Sequence, residues 1–309
     1  MSIAEKLTTI AENEQKVFDS GRRQGDFEGY TRGMADGEAS GYDNGYWDGY
    51  AKAEEEISGI NPEWTDWRYF CAYNTRLDLV SKLKPSDTSK GTNFTAMFEG
   101  CSNLTEIPEM NTSNGIYFNK IFYNCKSITT IPNLDTKKAT EMQQMFYGCT
   151  SLTTIPPLYF SNGLNVAQMF YGCTGLIELP SILIPRTASV YMMFYNCTSL
   201  ETITSVNFSA CDSSSAFSSA FQNCTALKNI TFEGDIKCNI SFAYSPLSKD
   251  SIVSIVNALL NTKSGKTLTL KKTAVQKAFE TSSGANDGNT SEEWLALVAT
   301  KSNWTITLA

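Results

Sequence analysis

One motif of fifteen residues recurs six times along the chain, and this repetition limits the possible fold more than any other feature of the sequence. In every copy an aromatic residue is followed three positions later by cysteine. The copies are FTAMFEGCSNLTEIP (Phe94–Pro108), FNKIFYNCKSITTIP (Phe118–Pro132), MQQMFYGCTSLTTIP (Met142–Pro156), VAQMFYGCTGLIELP (Val166–Pro180), VYMMFYNCTSLETIT (Val190–Thr204) and FSSAFQNCTALKNIT (Phe217–Thr231). Cysteines Cys101, Cys125, Cys149, Cys173 and Cys197 are 24 residues apart, and Cys224 follows after 27. Such a regular period predicts a stack of similar units.

Each copy predicts one coil of that stack. Apolar residues at i, i+3, i+4 and i+7 over residues 94–101 are typical of one face of a short helix. Leu104 and Ile107 then predict a short strand, which Pro108 ends. One copy cannot bury its own apolar face, so neighbouring copies must cover it, and we expect an α/β repeat of about six 24-residue coils.

The motif resembles leucine-rich repeats, and most closely the BspA-like subclass, whose units read AFxxCxxLxxIxxP. This resemblance covers residues 94–247. It implies a leucine-rich-repeat solenoid whose sheet surface is the usual binding face. It also implies that the chain binds a partner rather than catalysing a reaction.

The cysteine row has two interpretations. Cysteine is among the most buried residue types and suits a small core position in each coil. Strands about 4.8 Å apart would also permit a disulfide or metal ladder. The chain has no histidine, and no two of its nine cysteines form a CxxC pair. We therefore expect reduced core thiols, and we predict no cofactor, no metal site and no catalytic residue.

A row of tyrosines follows the repeat phenylalanines. The row is bounded by the polar residues Glu99 and Gln222 and consists of Tyr123, Tyr147, Tyr171 and Tyr195. These side chains either pack half-buried between adjacent helices or form an exposed stripe for a protein or a glycan. Tyrosine suits the second role because it combines a large contact area with a polar group.

The strand positions that point away from Leu and Ile form a second candidate binding row. They are mostly small and polar: Thr105, Glu106, Thr129, Thr130, Thr153, Thr154, Ile177, Glu178, Glu201, Thr202, Lys228 and Asn229. This composition suits polar or carbohydrate contacts.

Both ends of the solenoid need caps, because terminal coils otherwise expose core. Residues 61–93 are rich in aromatic side chains and are predicted to form the N-terminal cap. Residues 240–250 resemble a decayed seventh repeat with Leu247 at the cysteine position. Residues 248–309 predict a β/α C-terminal cap: a helix from Ser248, a strand at 266–271, short helices after capping boxes Thr273/Gln276 and Thr290/Glu293, and a strand at 304–309.

Glycine recurs at every fourth position near the N-terminus. After a helical pattern in residues 1–20 come Gly21, Gly25, Gly29, Gly33, Gly37, Gly41, Gly45 and Gly49. Eight glycines inside an isolated helix would cost about 8 kcal/mol relative to alanine. Close approach of a second backbone would offset that cost. We therefore favour a helical oligomerisation or docking stalk over residues 1–60, forming a homo-oligomer such as a trimer or binding other proteins; the alternative is a flexible acidic linker.

Charge and hydropathy argue against several classes of partner. Residues 1–60 hold six basic and thirteen acidic side chains, and the remainder is neutral. A basic stripe for nucleic acid is therefore absent from the sequence. No apolar run approaches the roughly 18–20 residues that a membrane helix needs, and the first residues do not resemble a secretory signal. We expect no nucleic acid, no membrane insertion, and synthesis in the cytoplasm.

The order of a stalk, a repeat domain and a cap resembles phage tail and receptor-binding proteins. The opening MSIAEKLTTIAENEQKVFDSG is also similar to small prophage proteins. These resemblances imply a non-enzymatic virion or tail protein that is attached through its N-terminus and recognises a host-cell surface protein or glycan. The alternative is a BspA-like adhesin or interaction module on a bacterial surface. Without histidine, Ser-His-Asp and Cys-His sites are excluded.

Overall fold

The computed structural model describes residues 63–74, 80–159, 165–180, 182–183, 189–209, 211, 217, 219–261, 265–279 and 291–309. All of them belong to one compact unit, Ile60–Ala309. The predicted stalk, with its glycines from Gly21 to Gly49, lies outside the described residues, and the division into a stalk, a repeat region and two caps stays a prediction.

Each repeat begins with a run of tight turns, and the helix predicted there is wrong. In residues 94–101 the backbone N–H groups of Met97, Glu99 and Cys101 donate to the carbonyls three residues earlier, at 3.2, 3.0 and 3.1 Å. Ala96 has φ 55° and Gly100 has φ 69°. An α-helix would need bonds to the fourth preceding residue and negative φ throughout. Consecutive turns therefore bury residues at the same i, i+3, i+4 and i+7 positions as a helix would.

The remaining N–H groups of the run join one repeat to the next. Those of Phe94, Ala96, Phe98 and Gly100 donate to the carbonyls of Tyr117, Asn119, Ile121 and Tyr123 at 2.9, 2.8, 2.9 and 2.7 Å. The same four bonds join residues 67–73 to 93–99, 118–124 to 141–147, 142–148 to 165–171 and 166–172 to 189–195. We call this arrangement the turn ladder. It begins at Trp67, within the segment predicted to be the N-terminal cap.

The residue before each repeat cysteine has a left-handed backbone. It is glycine or asparagine in all six repeats, with φ from 57° to 70°: Gly100, Asn124, Gly148, Gly172, Asn196 and Asn223. Glycine adopts this conformation without steric cost, and asparagine is enriched in it. A position that is always glycine or asparagine indicates turns rather than a helix.

Phenylalanines and cysteines fill the core behind the turn ladder. Adjacent repeat phenylalanines stack, as in Phe122 and Phe146 with ring centroids 5.7 Å apart. Each repeat thiol from Cys125 onward donates to the carbonyl of a phenylalanine in the preceding repeat, as in Cys149 Sγ to Phe122 O at 3.0 Å. All nine cysteines are buried and outside any disulfide. The row thus fills core positions, as one of the two interpretations expected.

A second motif precedes each of the first three repeats. It reads SDTSKG, MNTSNG and LDTKKA in successive repeats, and its threonines Thr88, Thr112 and Thr136 are buried. Thr136 Oγ1 donates to Tyr159 O at 2.9 Å and accepts from Tyr159 N–H at 2.8 Å. These threonines therefore satisfy backbone groups of the next repeat, and the sequence reading had not identified them.

The strand side of the repeats becomes regular only in the later copies. Strands β1 (Glu178–Leu179) and β2 (Ile182–Leu183) both pair in parallel with β3 (Thr202–Asn207), and β3 pairs in parallel with β4 (Asn229–Phe232). At the start of the turn runs, parallel bridges connect Asp66, Asn93, Tyr117, Glu141, Asn165 and Ser189 in series. A repeat fold built from parallel stacking is therefore confirmed.

A small β/α arrangement follows the repeats. Strands β5 (Ile240–Phe242), β6 (Lys266–Leu270) and β7 (Trp304–Leu308) form a parallel sheet in that order. Its helices are α1 (Lys249–Ala258), α2 (Lys272–Phe279) and α3 (Glu292–Ala299); a 3₁₀ turn, Ala72–Asn74, lies in the first coil. Ser248 caps α1 as predicted. The cap of α3 is Ser291 rather than Thr290, and Thr273 and Gln276 lie inside α2.

The first testable prediction concerns Gly115, where an added Cβ would lie 2.2 Å from Phe118 Cζ. One repeat later the equivalent pair is Ala139 and Met142, because a methionine side chain leaves room for the extra methyl group. Gly115→Ala should lower the free energy of unfolding by about 1–3 kcal/mol, as overpacking does. In a Phe118→Met background the same change should cost little. Equal costs in both backgrounds, measured by urea unfolding, would exclude the clash as the cause.

The second prediction concerns the thiols. Burial raises the pKa of Cys173 and of Cys224 to about 12, and it raises the pKa of Cys149 and Cys197 well above the ordinary value. Alkylation requires the thiolate. At pH 8 we expect iodoacetamide to leave the native protein unmodified by intact mass, while the guanidinium-denatured chain takes up nine adducts. An adduct on a repeat cysteine of the native protein would contradict this packing.

Candidate functional site

The threonine-rich row predicted from the sequence lies on the surface. Thr105, Glu106, Thr129, Thr130, Thr153, Thr154, Glu178 and Glu201 are all exposed. Many of its polar groups have partners within the row: Thr153 Oγ1 donates to Thr129 O at 3.3 Å, and Lys228 Nζ lies 3.2 Å from Glu201 Oε2. The row therefore combines hydroxyls with carboxylates and an exposed ion pair, and its role in binding stays a prediction.

The four repeat tyrosines form a continuous stack on the turn ladder. Ring centroids are 4.7, 4.6 and 4.8 Å apart from Tyr123 through Tyr147 and Tyr171 to Tyr195, with interplanar angles of 13°, 3° and 3°. Each side chain is half-buried. Because no helix is present, the packing between helices that we expected as one alternative does not occur. The rings cover one another's faces, so their edges and hydroxyl groups are what they offer to solvent.

The two middle tyrosines of the stack, Tyr147 and Tyr171, keep neutral hydroxyls. Burial raises the pKa of both side chains, and a neighbouring phenolate would raise it further; the hydrogen bond between the two hydroxyls raises the pKa of Tyr147 and lowers that of Tyr171. A neutral phenol both donates and accepts a hydrogen bond. These two hydroxyls therefore carry no charge at neutral pH.

Charged side chains lie at the N-terminal end of the stack, beside Tyr123. Tyr73 Oη donates to Glu99 Oε1 at 3.3 Å, and Lys120 Nζ lies 5.4 Å from the ring centroid of Tyr123. Burial raises the pKa of Glu99, while the charge of Lys120 and the bond from Tyr73 oppose that rise. The carboxylate thus occupies the polar boundary position that the sequence assigned to it.

The middle of the stack is flanked by uncharged side chains. We define the tyrosine face as the turn-ladder residues 142–148, 166–172 and 190–196, among which there is no Asp, Glu, Lys or Arg. Gln144 Nε2 donates to Gln168 Oε1 at 2.9 Å beside the tyrosines. Tyr191 on the same segment is 37% exposed. Sequence reasoning singled out the tyrosines but missed this uncharged surround, although the contrast with Glu99 and Lys120 in the earlier repeats was visible.

Two further classes of site find no support in the described part of the chain. No three cysteine, aspartate or glutamate side chains there come together as a metal site would require. No helix among the same residues is both long and apolar enough to cross a membrane. The predicted oligomerisation glycines lie outside the described residues.

Two family models match parts of the repeat region. Residues 68–182 match a family described as Mycoplasma protein of unknown function, DUF285, and this match begins in the first coil of the turn ladder. Residues 166–264 match the BspA type leucine-rich repeat region in six copies. No curated protein and no solved structure matches the chain. The two matches overlap and together span the turn ladder, and they support the BspA-like leucine-rich-repeat family as the family of this repeat region.

Proposed function

We propose that this chain is a non-enzymatic recognition protein that binds a protein on a host-cell surface through the tyrosine face. The observation that carries the proposal is the uncharged, tyrosine-rich surface of residues 142–148, 166–172 and 190–196. Cores of protein–protein interfaces are depleted in charge and enriched in tyrosine and methionine. The match to BspA type leucine-rich repeats independently supports an interaction or adhesin module.

Rigidity supports this choice of face. The tyrosines are fixed by stacking at 4.6 to 4.8 Å, and the backbone beneath them is fixed by the turn ladder. Ordering a flexible side chain at an interface costs about 0.5–1.5 kcal/mol, so rings that are already ordered avoid much of that cost. A protein partner can contact the ring edges and bond to the hydroxyls without disturbing the stack.

A protein suits this face better than a glycan does. Sugar rings bind aromatic side chains mainly by lying on a ring face, and here the faces of Tyr147 and Tyr171 are covered by their neighbours. The threonine-rich row is the weaker candidate because Glu106, Glu178 and Glu201 add charge that a partner would have to desolvate or pair.

We further propose that residues 1–60 attach the recognition domain to a larger assembly, either by oligomerisation or by docking. The eight-glycine period supports this role. Placement on the surface of a bacterial cell as an adhesin is supported by the family match. Placement in a phage tail or virion is supported by the resemblance of the first 21 residues to small prophage proteins.

The third prediction tests the binding face. Fluorescently labelled full-length protein should bind a cell surface saturably in flow cytometry. Tyr171→Arg should weaken that binding about tenfold or more, since central interface residues often contribute about 2 kcal/mol. Thr154→Arg adds the same charge to the other exposed row and serves as the matched control. Equal losses from the two variants would show that charge alone, rather than the tyrosine face, governs binding. Binding to bacterial cells would favour a tail protein, and binding to animal cells would favour an adhesin.

The fourth prediction tests attachment. We expect the full chain to be an oligomer by light scattering after size exclusion, and a chain of residues 61–309 to be a monomer that still unfolds cooperatively in urea. A truncated chain that keeps the full-length oligomeric mass would contradict the role given to residues 1–60.

A further inference from the structure

The hydrogen bonds of the turn ladder stop at the sixth repeat. In the fifth repeat, the N–H groups of Phe194 and Asn196 still donate to Ala220 O and Gln222 O, both at 2.9 Å. The corresponding donors of the sixth repeat are the N–H groups of Ser219, Phe221 and Asn223. None of these three has a hydrogen-bond partner among the residues that the structure describes.

The ladder stops because the next segment changes its backbone. Phe242 continues the phenylalanine stack, 4.7 Å from Phe221, and Ser245 N–H closes a turn onto Phe242 O at 3.0 Å. Ser245, rather than Leu247, therefore occupies the position equivalent to the repeat cysteines. Ile240–Phe242, however, is the extended strand β5 and pairs with β6. The side-chain column continues, but the carbonyls that would receive the sixth repeat's donors do not.

On the strand side of the sixth repeat, by contrast, the backbone N–H groups have hydrogen-bond partners. There the N–H groups of Ile230 and Phe232 donate to Ser251 Oγ and Ser254 Oγ of helix α1, both at 2.9 Å. A buried N–H group without a hydrogen-bond partner destabilises the fold. Phe221 is only 1% exposed, so its N–H needs a partner in the space that it faces.

That space is a cleft of about 270 Å³ between the sixth repeat and β5. Ser219, Phe221 and Gln222 line one side, and Ser241, Ala243 and Tyr244 line the other. No Asp or Glu lines it. The lining therefore offers backbone N–H donors, the three hydroxyls of Ser219, Ser241 and Tyr244, and the neutral amide of Gln222.

The electrostatics of the ladder favour an anion at this cleft. Each peptide unit of the ladder makes two of these bonds. Its carbonyl accepts from the preceding repeat and its N–H donates to the following one, as with Tyr117 O and Phe118 N–H. Four peptide dipoles per repeat are therefore parallel, with their N–H ends toward the C-terminal neighbour. Aligned peptide dipoles leave partial positive charge at the N–H end, as at a helix N-terminus. Successive N–H groups in turn conformations also form anion-binding concavities.

We propose that this cleft binds the anionic oxygens of a small carboxylate or tetrahedral oxyanion. The unpaired N–H groups of Ser219 and Phe221 accept the charge at the positive end of the aligned dipoles, and the Ser241 and Tyr244 hydroxyls complete the site. The volume limits the ligand to a small molecule or a terminal group. This site lies outside the tyrosine face and does not depend on the function proposed for that face.

The experiment uses the full chain labelled with ¹⁵N, with amide shifts followed as sodium acetate, and separately sodium sulfate, replaces sodium chloride at constant ionic strength. Acetamide serves as the neutral counterpart of acetate. We expect saturable downfield shifts of the Ser219 and Phe221 amides with acetate or sulfate. The amides of Phe146 and Gly148, which are bonded within the ladder, should not shift. Saturation by acetate alone would identify a carboxylate site, and saturation by sulfate alone a tetrahedral oxyanion site.

Ala243→Leu should fill the cleft and weaken the response at least tenfold, while Ala296→Leu, an exposed change of the same size on α3, should leave it intact. The Phe146 and Gly148 amides report whether each variant keeps the ladder fold. If Ala243→Leu loses the fold, Ser241→Ala and Tyr244→Phe take its place. Each of these variants removes one hydroxyl from the cleft and should weaken the response. Equal shifts with acetamide, shifts shared by Phe146 and Gly148, no shift at all, or an unchanged response in a folded Ala243→Leu variant would each overturn the proposal.

Discussion

Hydrogen bonds between the turns of neighbouring repeats are the interaction on which the rest of this structure depends. In residues 94–101 four N–H groups donate to the next repeat, three close turns within the run, and that of Thr95 donates to Asn93 Oδ1. Because both sets of donors are used, the backbone can be buried against phenylalanine and cysteine side chains without the cost of unpaired polar groups. The flat row on which the tyrosines stack and the polarity of the stack both follow from this division.

The conformational cost of the ladder explains its composition. The third residue of each run also has positive φ, and there it is Ala96, Lys120, Gln144, Gln168, Met192 or Ser219 rather than glycine. A left-handed residue that is not glycine costs about 1–2 kcal/mol. The position before cysteine, by contrast, is always glycine or asparagine. Interrepeat bonds and the core behind the run must stabilise the strained third position.

Much of the repeat fold was predictable, and its local conformation was not. The 24-residue period and the cysteine and phenylalanine columns gave the stacking correctly, because burial repeats with the sequence. The apolar spacing of residues 94–101 could not separate a helix from consecutive turns, since both place the same side chains inside. Only the Gly100 and Asn124 column distinguishes them. In the C-terminal region, the Ser248 cap, the buried face of α1 and strands β6 and β7 were predictable from ordinary patterns.

For the two surface rows, exposure was predictable from the sequence but the contacts between side chains were not. Exposure of Thr129, Thr130 and their equivalents followed from their polar side chains, which lie between the apolar Ile128 and Ile131 of the repeat. The mutual stacking of Tyr147 and Tyr171 did not, because it depends on the 4.6 to 4.8 Å spacing that the turn ladder imposes. The cleft beside Phe221 could not be read from residue types at all, since its donors are backbone groups whose partners are lost when β5 becomes extended.

The second motif, with its Thr112 and Gly115, bears on how such a chain can change in length. Thr112 Oγ1 and Asn114 Nδ2 bond to the following and preceding repeats, so each unit carries both halves of its connections. Removal or duplication of one whole 24-residue unit would join surfaces that already fit, whereas an insertion or deletion within a turn run would displace the phenylalanine and cysteine columns. Natural variation in this protein should therefore occur by gain or loss of complete repeats, and the extent of its tyrosine stack should change in steps of one ring.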